Sequence, residues 1–267
     1  MPLQSALLNV MVAAARKAGR GLARDFGEVE KLQVSMKGPA NFVSAADRKA
    51  EKIAREELLK ARPTYGFLGE EGDEIKGSDG SHRWIVDPLD GTTNFLHGIP
   101  LFAVSIALER SGEIVAGVVF NPATDELYTT EKGGGAFLND RRLRVASRRA
   151  LSDSVIGCGV PHLGRRNHGN FLIELRHVMG EVAGIRRLGS AALDLAYVAS
   201  GRFDGFWENG LEAWDIAAGM LLIREAGGFA TDLDGGNSSL DTGSVVAGNE
   251  HIHKALMDVV KRPVPVK

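Results

Sequence analysis

Apolar positions at helical spacing open the chain: Leu3, Leu7, Val10, Met11 and Ala14 share one face and predict an amphipathic first helix. Lys37-Gly38-Pro39 marks a loop, and Ala46, Ala50, Ile53, Ala54 and Leu58 then predict a second helix that ends near Pro63. Gly66 to Gly69 is a short extended piece that hands over to Glu70 and Glu71. A polar loop rich in Gly, Asp and Ser follows as far as His82. From there the pattern is mostly that of strands. Trp84-Ile85-Val86 runs into a turn expected at Pro88, and Phe102 to Glu109, Ile114 to Phe120 and Glu126 to Thr130 are separated by Ser111-Gly112 and Asn121-Pro122 turns. Adjacent short strands of this kind predict an antiparallel sheet.

The second half alternates instead. Val155 to Cys158, Gly205 to Glu208 and Ser244 to Ala247 read as strands, and Asn170 to Met179, Ala191 to Ala199, Trp214 to Ala226 and Glu250 to about Val260 read as helices. Gly201 and Gly227-Gly228 are natural stops for two of these helices. Strands followed by alternation predict layered α and β elements in two subdomains, residues 1–148 and 149–267, with the boundary near Ala146 to Leu151.

Composition narrows the classes. With 44% hydrophobic and 25% charged residues, the 267-residue chain can bury a sizeable core. A net charge of -2 leaves no global basic field, which makes nucleic-acid binding unlikely. The basic residues near the N-terminus follow the apolar part, the reverse of a secretory signal. Leu101 to Leu108 is far short of a membrane span. The single cysteine, Cys158, fits a reducing compartment and reads as a small, half-buried thiol.

The chemistry lies in acidic residues at element ends: Glu70 after an extended piece, Asp87 and Asp90 around Pro88, and Asp215 opening a helix. Singly, each has an ordinary use, as a helix cap, a turn former or solvated charge. Together, in Asp87-Pro88-Leu89-Asp90-Gly91-Thr92-Thr93, they put carboxylates beside a glycine-led helix start suited to phosphate oxygens. All donors are oxygens, with no clustered His or Cys, which selects Mg²⁺, or Mn²⁺ as a substitute, over zinc. Such ions clamp the attacking and leaving oxygens of a phosphoryl displacement, with water as the nucleophile.

Four motifs, in order, carry a resemblance: Gly69 to Glu71, Trp84 to Asn94, Gly189 to Glu208 and Ala213 to Gly228. They closely resemble the inositol monophosphatase family, especially its bacterial branch. The resemblance implies an α+β fold, a layered αβαβα sandwich of two subdomains like that of inositol monophosphatase and fructose-1,6-bisphosphatase. It implies metal ligation by Glu70, Asp87, the Leu89 carbonyl, Asp90 and Asp215, for two or three Mg²⁺ ions. Gly91 and Thr92 match the phosphate cradle. Thr92 with Asp47, and Glu70, match the groups that activate water. Gly189, Ser190, Ala191 and Glu208 match positions facing the substrate hydroxyls, which Asp90 and Asp215 also border. A phosphorylated polyol substrate, Li⁺ inhibition, a homodimer and a cytoplasmic location follow from the same resemblance. Two departures stand out: Gly72 replaces a frequent Ser, and Ser44-Ala45 replace Thr and a second small or polar residue. They bear on how the loop near Lys37 closes over the third metal position.

Other small phosphomonoesters share that metal core: fructose 1,6-bisphosphate, histidinol phosphate, NADP and phosphoadenosine phosphate. Aspartyl-phosphate phosphatases also carry an Asp-rich turn, but as Asp-x-Asp, whereas two residues separate Asp87 from Asp90. The basic stretch Arg141, Arg142, Arg144, Arg148 and Arg149 leaves open a regulatory role in binding RNA or protein. Its alternation with Leu143 and Val145 reads more simply as a half-exposed strand.

Overall fold

Ser5 starts the first helix by accepting the Leu8 N–H on its hydroxyl at 3.0 Å, and α1 (Ala6–Phe26) follows. The computed structural model describes residues 5–28, 34–36 and 42–262, with 34–36 and 42–44 as backbone. Leu3 and the expected loop at Lys37-Gly38-Pro39 lie outside the described residues. Two short strands, β1 (Val34–Met36) and β2 (Phe42–Ser44), pair antiparallel and lead into α2 (Ala45–Ala61). Small buried residues, Ala14, Ala15 and Ala18 on α1 and Ala46, Ala50 and Ala54 on α2, share one apolar cluster with the first sheet.

The first sheet has seven strands in chain order: β3 (Gly66–Gly69), β4 (His82–Asp90), β5 (Ala103–Arg110), β6 (Glu113–Asn121), β7 (Glu126–Glu131), β8 (Gly135–Leu138) and β9 (Arg141–Arg142). From β4 onward it is antiparallel, as expected, with Ser111 and Gly112 at positive φ (51° and 81°) in the β5–β6 hairpin. The exception is β3, which runs parallel to β4 because residues 70–81 supply the crossover that a parallel pair needs. The helix start after Asp90 is α3 (Thr92–Leu96).

The second sheet contains β10 (Val155–Cys158), β11 (Gly184–Arg186), β12 (Gly205–Asn209), β13 (Phe229–Thr231) and β14 (Ser244–Gly248), in the order β11-β10-β12-β14-β13. Its helices are α4 (His168–Met179), α5 (Ala191–Ala199), α6 (Ala213–Glu225), the short α7 (Ser239–Thr242) and α8 (Glu250–Val260). Three apolar clusters separate the layers. The first joins α1 and α2 to one face of the seven-stranded sheet. Another holds α5 and α6 between the two sheets, and the last sets α4 and α8 against the outer face of the second sheet. The result is the expected α+β sandwich, layered αβαβα. Among the described residues, no helix is long and apolar enough to cross a membrane.

Two local expectations are corrected. Pro88 does not turn the chain out of the sheet, since β4 continues through it to Asp90 and the irregularity is absorbed within the ladder. Cys158 is fully buried rather than half-buried, because its partner across the ladder is the buried Trp207. Burial and the nearby Asp194 and Glu208 carboxylates push its thiol pKa up to about 12, so it is an inert core residue.

Candidate active site

The ladder between β4 and β5 explains how Asp87 and Asp90 come together. Asp87 faces Ser105 and Asp90 faces Ala103, so three steps on β4 match two on β5. Side chains alternate along a regular strand, and a separation of three would send the carboxylates to opposite faces. The extra residue of the bulge returns them to the same face. Pro88, which has no N–H to donate, sits where the ladder is interrupted. Asp87 Oδ1 accepts the Leu89 N–H at 2.9 Å and closes a turn around the proline.

Asp215 arrives from the first turn of α6. Its Oδ2 accepts the Glu212 N–H at 2.8 Å within a capping box, so the ordinary capping use and a place in the site coexist. Asp87, Asp90 and Asp215 bring oxygens within 4.8 Å of one another, and so do Asp47, Glu70 and Glu71. Glu70 contributes to raising the pKa of both Asp87 and Asp215, which links the two groups electrostatically. Every residue expected at the site borders one cavity of about 230 Å³ except Asp47, which is buried behind Thr92.

Burial first, then repulsion from Glu70 and Asp90, holds Asp87 well above the usual carboxylate range. Burial and Asp90 push Asp215 to about 8. Asp90 rises only to about 6, because burial is opposed by the Ser190 hydroxyl, donating to Oδ2 at 2.6 Å, and the Ala192 N–H, donating at 2.7 Å. Three such acids cannot all ionise at neutral pH without a counter-charge. Their all-oxygen donor set, with Glu70 and the Leu89 carbonyl on the same cavity, fits hard divalent cations.

Around this core the other expected residues take defined places. Gly91 has φ +92°, and a Cβ there would lie 2.8 Å from the Leu101 carbonyl, so only glycine makes the tight turn into α3. The Thr92 hydroxyl is 2.9 Å from the Leu89 carbonyl and 3.2 Å from Asp47 Oδ2. Having a single proton, it can donate to only one of them at a time. Gly189, Ser190 and Ala191 lead into α5, where the Ser190 hydroxyl also accepts the Leu193 N–H as an N-cap. That hydroxyl is therefore engaged with Asp90 and the helix rather than open to the cavity. Glu208, on β12, has its carboxylate packed directly over Gly159, where a Cβ would lie 1.7 Å from it. Burial, with Asp215 and Asp90 nearby, pushes Glu208 to about 8.

The inositol monophosphatase family model matches residues 3–263. The chain belongs to the inositol monophosphatase family. With that family it is a phosphoric monoester hydrolase. The inositol-1-monophosphatase of Rhizobium meliloti (strain 1021) is 76% identical over 264 residues, covering 99% of each chain. The Nus factor SuhB of Pseudomonas aeruginosa is 44% identical, covering 97% of each. The crystal structure of the extragenic suppressor protein suhB from Bartonella henselae superimposes with a TM-score of 0.95 at 65% identity, covering 97% of this chain and 100% of that one.

Several residues of this inositol monophosphatase-family site escaped the sequence reading. Glu71 joins Asp47 and Glu70, although its position suggested loop charge. Asn94 donates to the Leu101 and Leu188 carbonyls at 2.7 and 2.8 Å and ties the Gly91 turn to the approach to α5. Arg187 borders the cavity, and its Nη1 stands 2.7 Å from where a Gly189 Cβ would be. Asn94 ends the motif that begins at Trp84, so its inclusion was a usable signal. Nothing in the local pattern marks Arg187.

Proposed function

We propose that the protein hydrolyses an inositol monophosphate to inositol and inorganic phosphate, with Mg²⁺ as the working cation. The observation that carries this reading is the convergence of Asp87, Asp90 and Asp215, beside Glu70, on a cavity that Glu208 also lines. Glu70, Asp87, the Leu89 carbonyl, Asp90 and Asp215 would hold the cations. Bound there, they supply Lewis acidity to the phosphoryl oxygens and stabilise charge on the leaving oxygen.

The chain's own groups divide the remaining tasks. Backbone N–H groups at Gly91 and Thr92 hold a phosphate oxygen. Glu70 orients the attacking water. Thr92 takes the proton of that water while its own hydroxyl proton passes to Asp47 Oδ2, so that the carboxylate is the final acceptor. Glu208 accepts hydrogen bonds from the polyol, and Gly189 and Ala191 border the same space. Asp90 and Asp215 border the same substrate space, and Ser190 acts through Asp90. The two residues between Asp87 and Asp90, in place of the one in Asp-x-Asp, support attack by water over a phosphorylated aspartate.

Residues 1–148 would form the subdomain with most cation ligands and residues 149–267 the one that supplies the polyol contacts and Asp215. A cytoplasmic homodimer inhibited by Li⁺ completes the proposal, on the strength of the family likeness. Light scattering tests the oligomer. Parallel kinetics on inositol 1-phosphate, fructose 1,6-bisphosphate, histidinol phosphate, NADP and phosphoadenosine phosphate test the substrate, and preference for any of the last four would replace inositol monophosphate in this reading.

A second reading, binding to RNA or protein, draws on the relatives named Nus factor SuhB. Two of the basic-stretch residues are internally engaged, Arg148 with Asp204 at 3.0 Å and Arg142 over the Phe137 ring. That favours the enzymatic reading. Salt-sensitive RNA binding by the purified protein would support the alternative.

A further inference from the structure

We propose that Glu51 is a positioning residue that shapes the Glu70–Glu71 turn for cation binding. The proposal rests on the cation site described above. Glu51 lies one helical turn beyond Asp47 on α2 and is 4% exposed. Its Oε2 accepts the Glu71 N–H at 2.7 Å. The same carboxylate occupies the hollow of the turn from Gly69 to Gly72. A Cβ on Gly69 would lie 2.5 Å from Glu51 Oε2, and one on Gly72 would lie 2.7 Å from Oε1.

Neither glycine has a positive φ, so backbone conformation does not require glycine at either position. At Gly72 the next nearest atom to such a Cβ would be Arg55 Nη1 at 3.6 Å, an ordinary contact, so the Glu51 carboxylate is what a side chain there would have to displace. α2 presents Asp47 to the Glu70–Glu71 pair and, one turn on, clamps the backbone that carries the pair. Groups that orient ligands in this way commonly change metal affinity about 10–100-fold when removed.

The test is Mn²⁺ binding to the full-length protein, read by the loss of the free-ion electron paramagnetic resonance signal and by calorimetry. Glu51→Gln keeps an acceptor for the Glu71 N–H and is expected to bind Mn²⁺ within about threefold of the unmodified chain, well inside the loss for a removed orienting group. Glu51→Ala is expected to bind about 10–100-fold more weakly. Gly72→Ala should weaken binding when Glu51 is present, by displacing its carboxylate, and should add nothing in the Glu51→Ala background. Equal losses in Glu51→Gln and Glu51→Ala, or a Gly72→Ala effect of the same size in both backgrounds, would overturn the proposal. Failure of the unmodified chain to bind Mn²⁺ would overturn the cation site itself, and so separates the two conclusions. Should Glu51→Ala not fold, as judged by circular dichroism, wild-type binding by Gly72→Ala would still overturn the assignment.

Discussion

Asp87 and Asp90 stand three residues apart on β4 and two rungs apart on its ladder with β5, opposite Ser105 and Ala103. The bulge that reconciles those counts forces two buried acids onto one face, where repulsion between them opposes the metal-free fold. Asp90→Asn keeps one acceptor oxygen for Ser190 and Ala192 while removing a charge. It is expected to raise the melting temperature in EDTA and to lower kcat by about 100-fold to 1,000-fold. Calorimetric melting and steady-state kinetics on the same preparation check both signs.

Ser190 reaches Asp90 from the other half of the chain at 2.6 Å. Ser190→Ala removes a buried donor to a carboxylate and is expected to cost about 1–3 kcal/mol in the interaction. Weaker Mn²⁺ binding, by about 10–100-fold, should accompany it. Unchanged Mn²⁺ affinity would leave Ser190 as a helix cap alone.

The pH dependence of stability has a definite sign. Asp90 and Asp215 have pKa values raised to about 6 and about 8, and burial and the neighbouring carboxylates raise Asp87 in the same direction. A carboxyl group that binds its proton more tightly when folded favours the fold at low pH and withdraws that stability as pH rises. In EDTA, the contribution of these three acids to the melting temperature should therefore fall between about pH 4 and pH 8. Added Mg²⁺ should stabilise more at pH 8 than at pH 5. Thermal melts across that range, with and without Mg²⁺, measure the difference, and a Mg²⁺ effect that shrinks with pH would contradict the assignment.

Thr92 and Asp47 share a hydrogen bond of 3.2 Å, and the role proposed for them is proton transfer from water. Thr92→Ala and Asp47→Asn should each lower kcat by about 100-fold to 10,000-fold, the usual range for general acid–base groups. Thr92→Ser should recover most of the loss because it restores the hydroxyl. Little change in KM, with a double variant no worse than either single one, would mark the pair as one unit.

Element types were legible because apolar periodicity reports which face an element buries. Ala46, Ala50, Ala54 and Leu58 fall on the buried side of α2, and the β5–β6 hairpin turns at Ser111-Gly112 as its composition demands. Pro88 misled, because a proline reads as a turn from its own φ restriction, whereas a bulge is a property of two paired strands. Glu71 and Glu51 were missed for a related reason. Local sequence shows two adjacent glutamates after a strand and a glutamate within a helix, and does not show that α2 lies against that turn.

The sequence alone determined the donor chemistry: oxygens only, spaced around a glycine-led turn, on elements whose order and type follow from hydrophobic period. Tertiary structure alone decided which acids meet and how they titrate. Asp87, Asp90 and Asp215 converge because α6 packs between the two sheets and the β4 bulge aligns the first two. Their raised pKa values come from burial and mutual repulsion, which depend on distances through space that no spacing along the chain encodes.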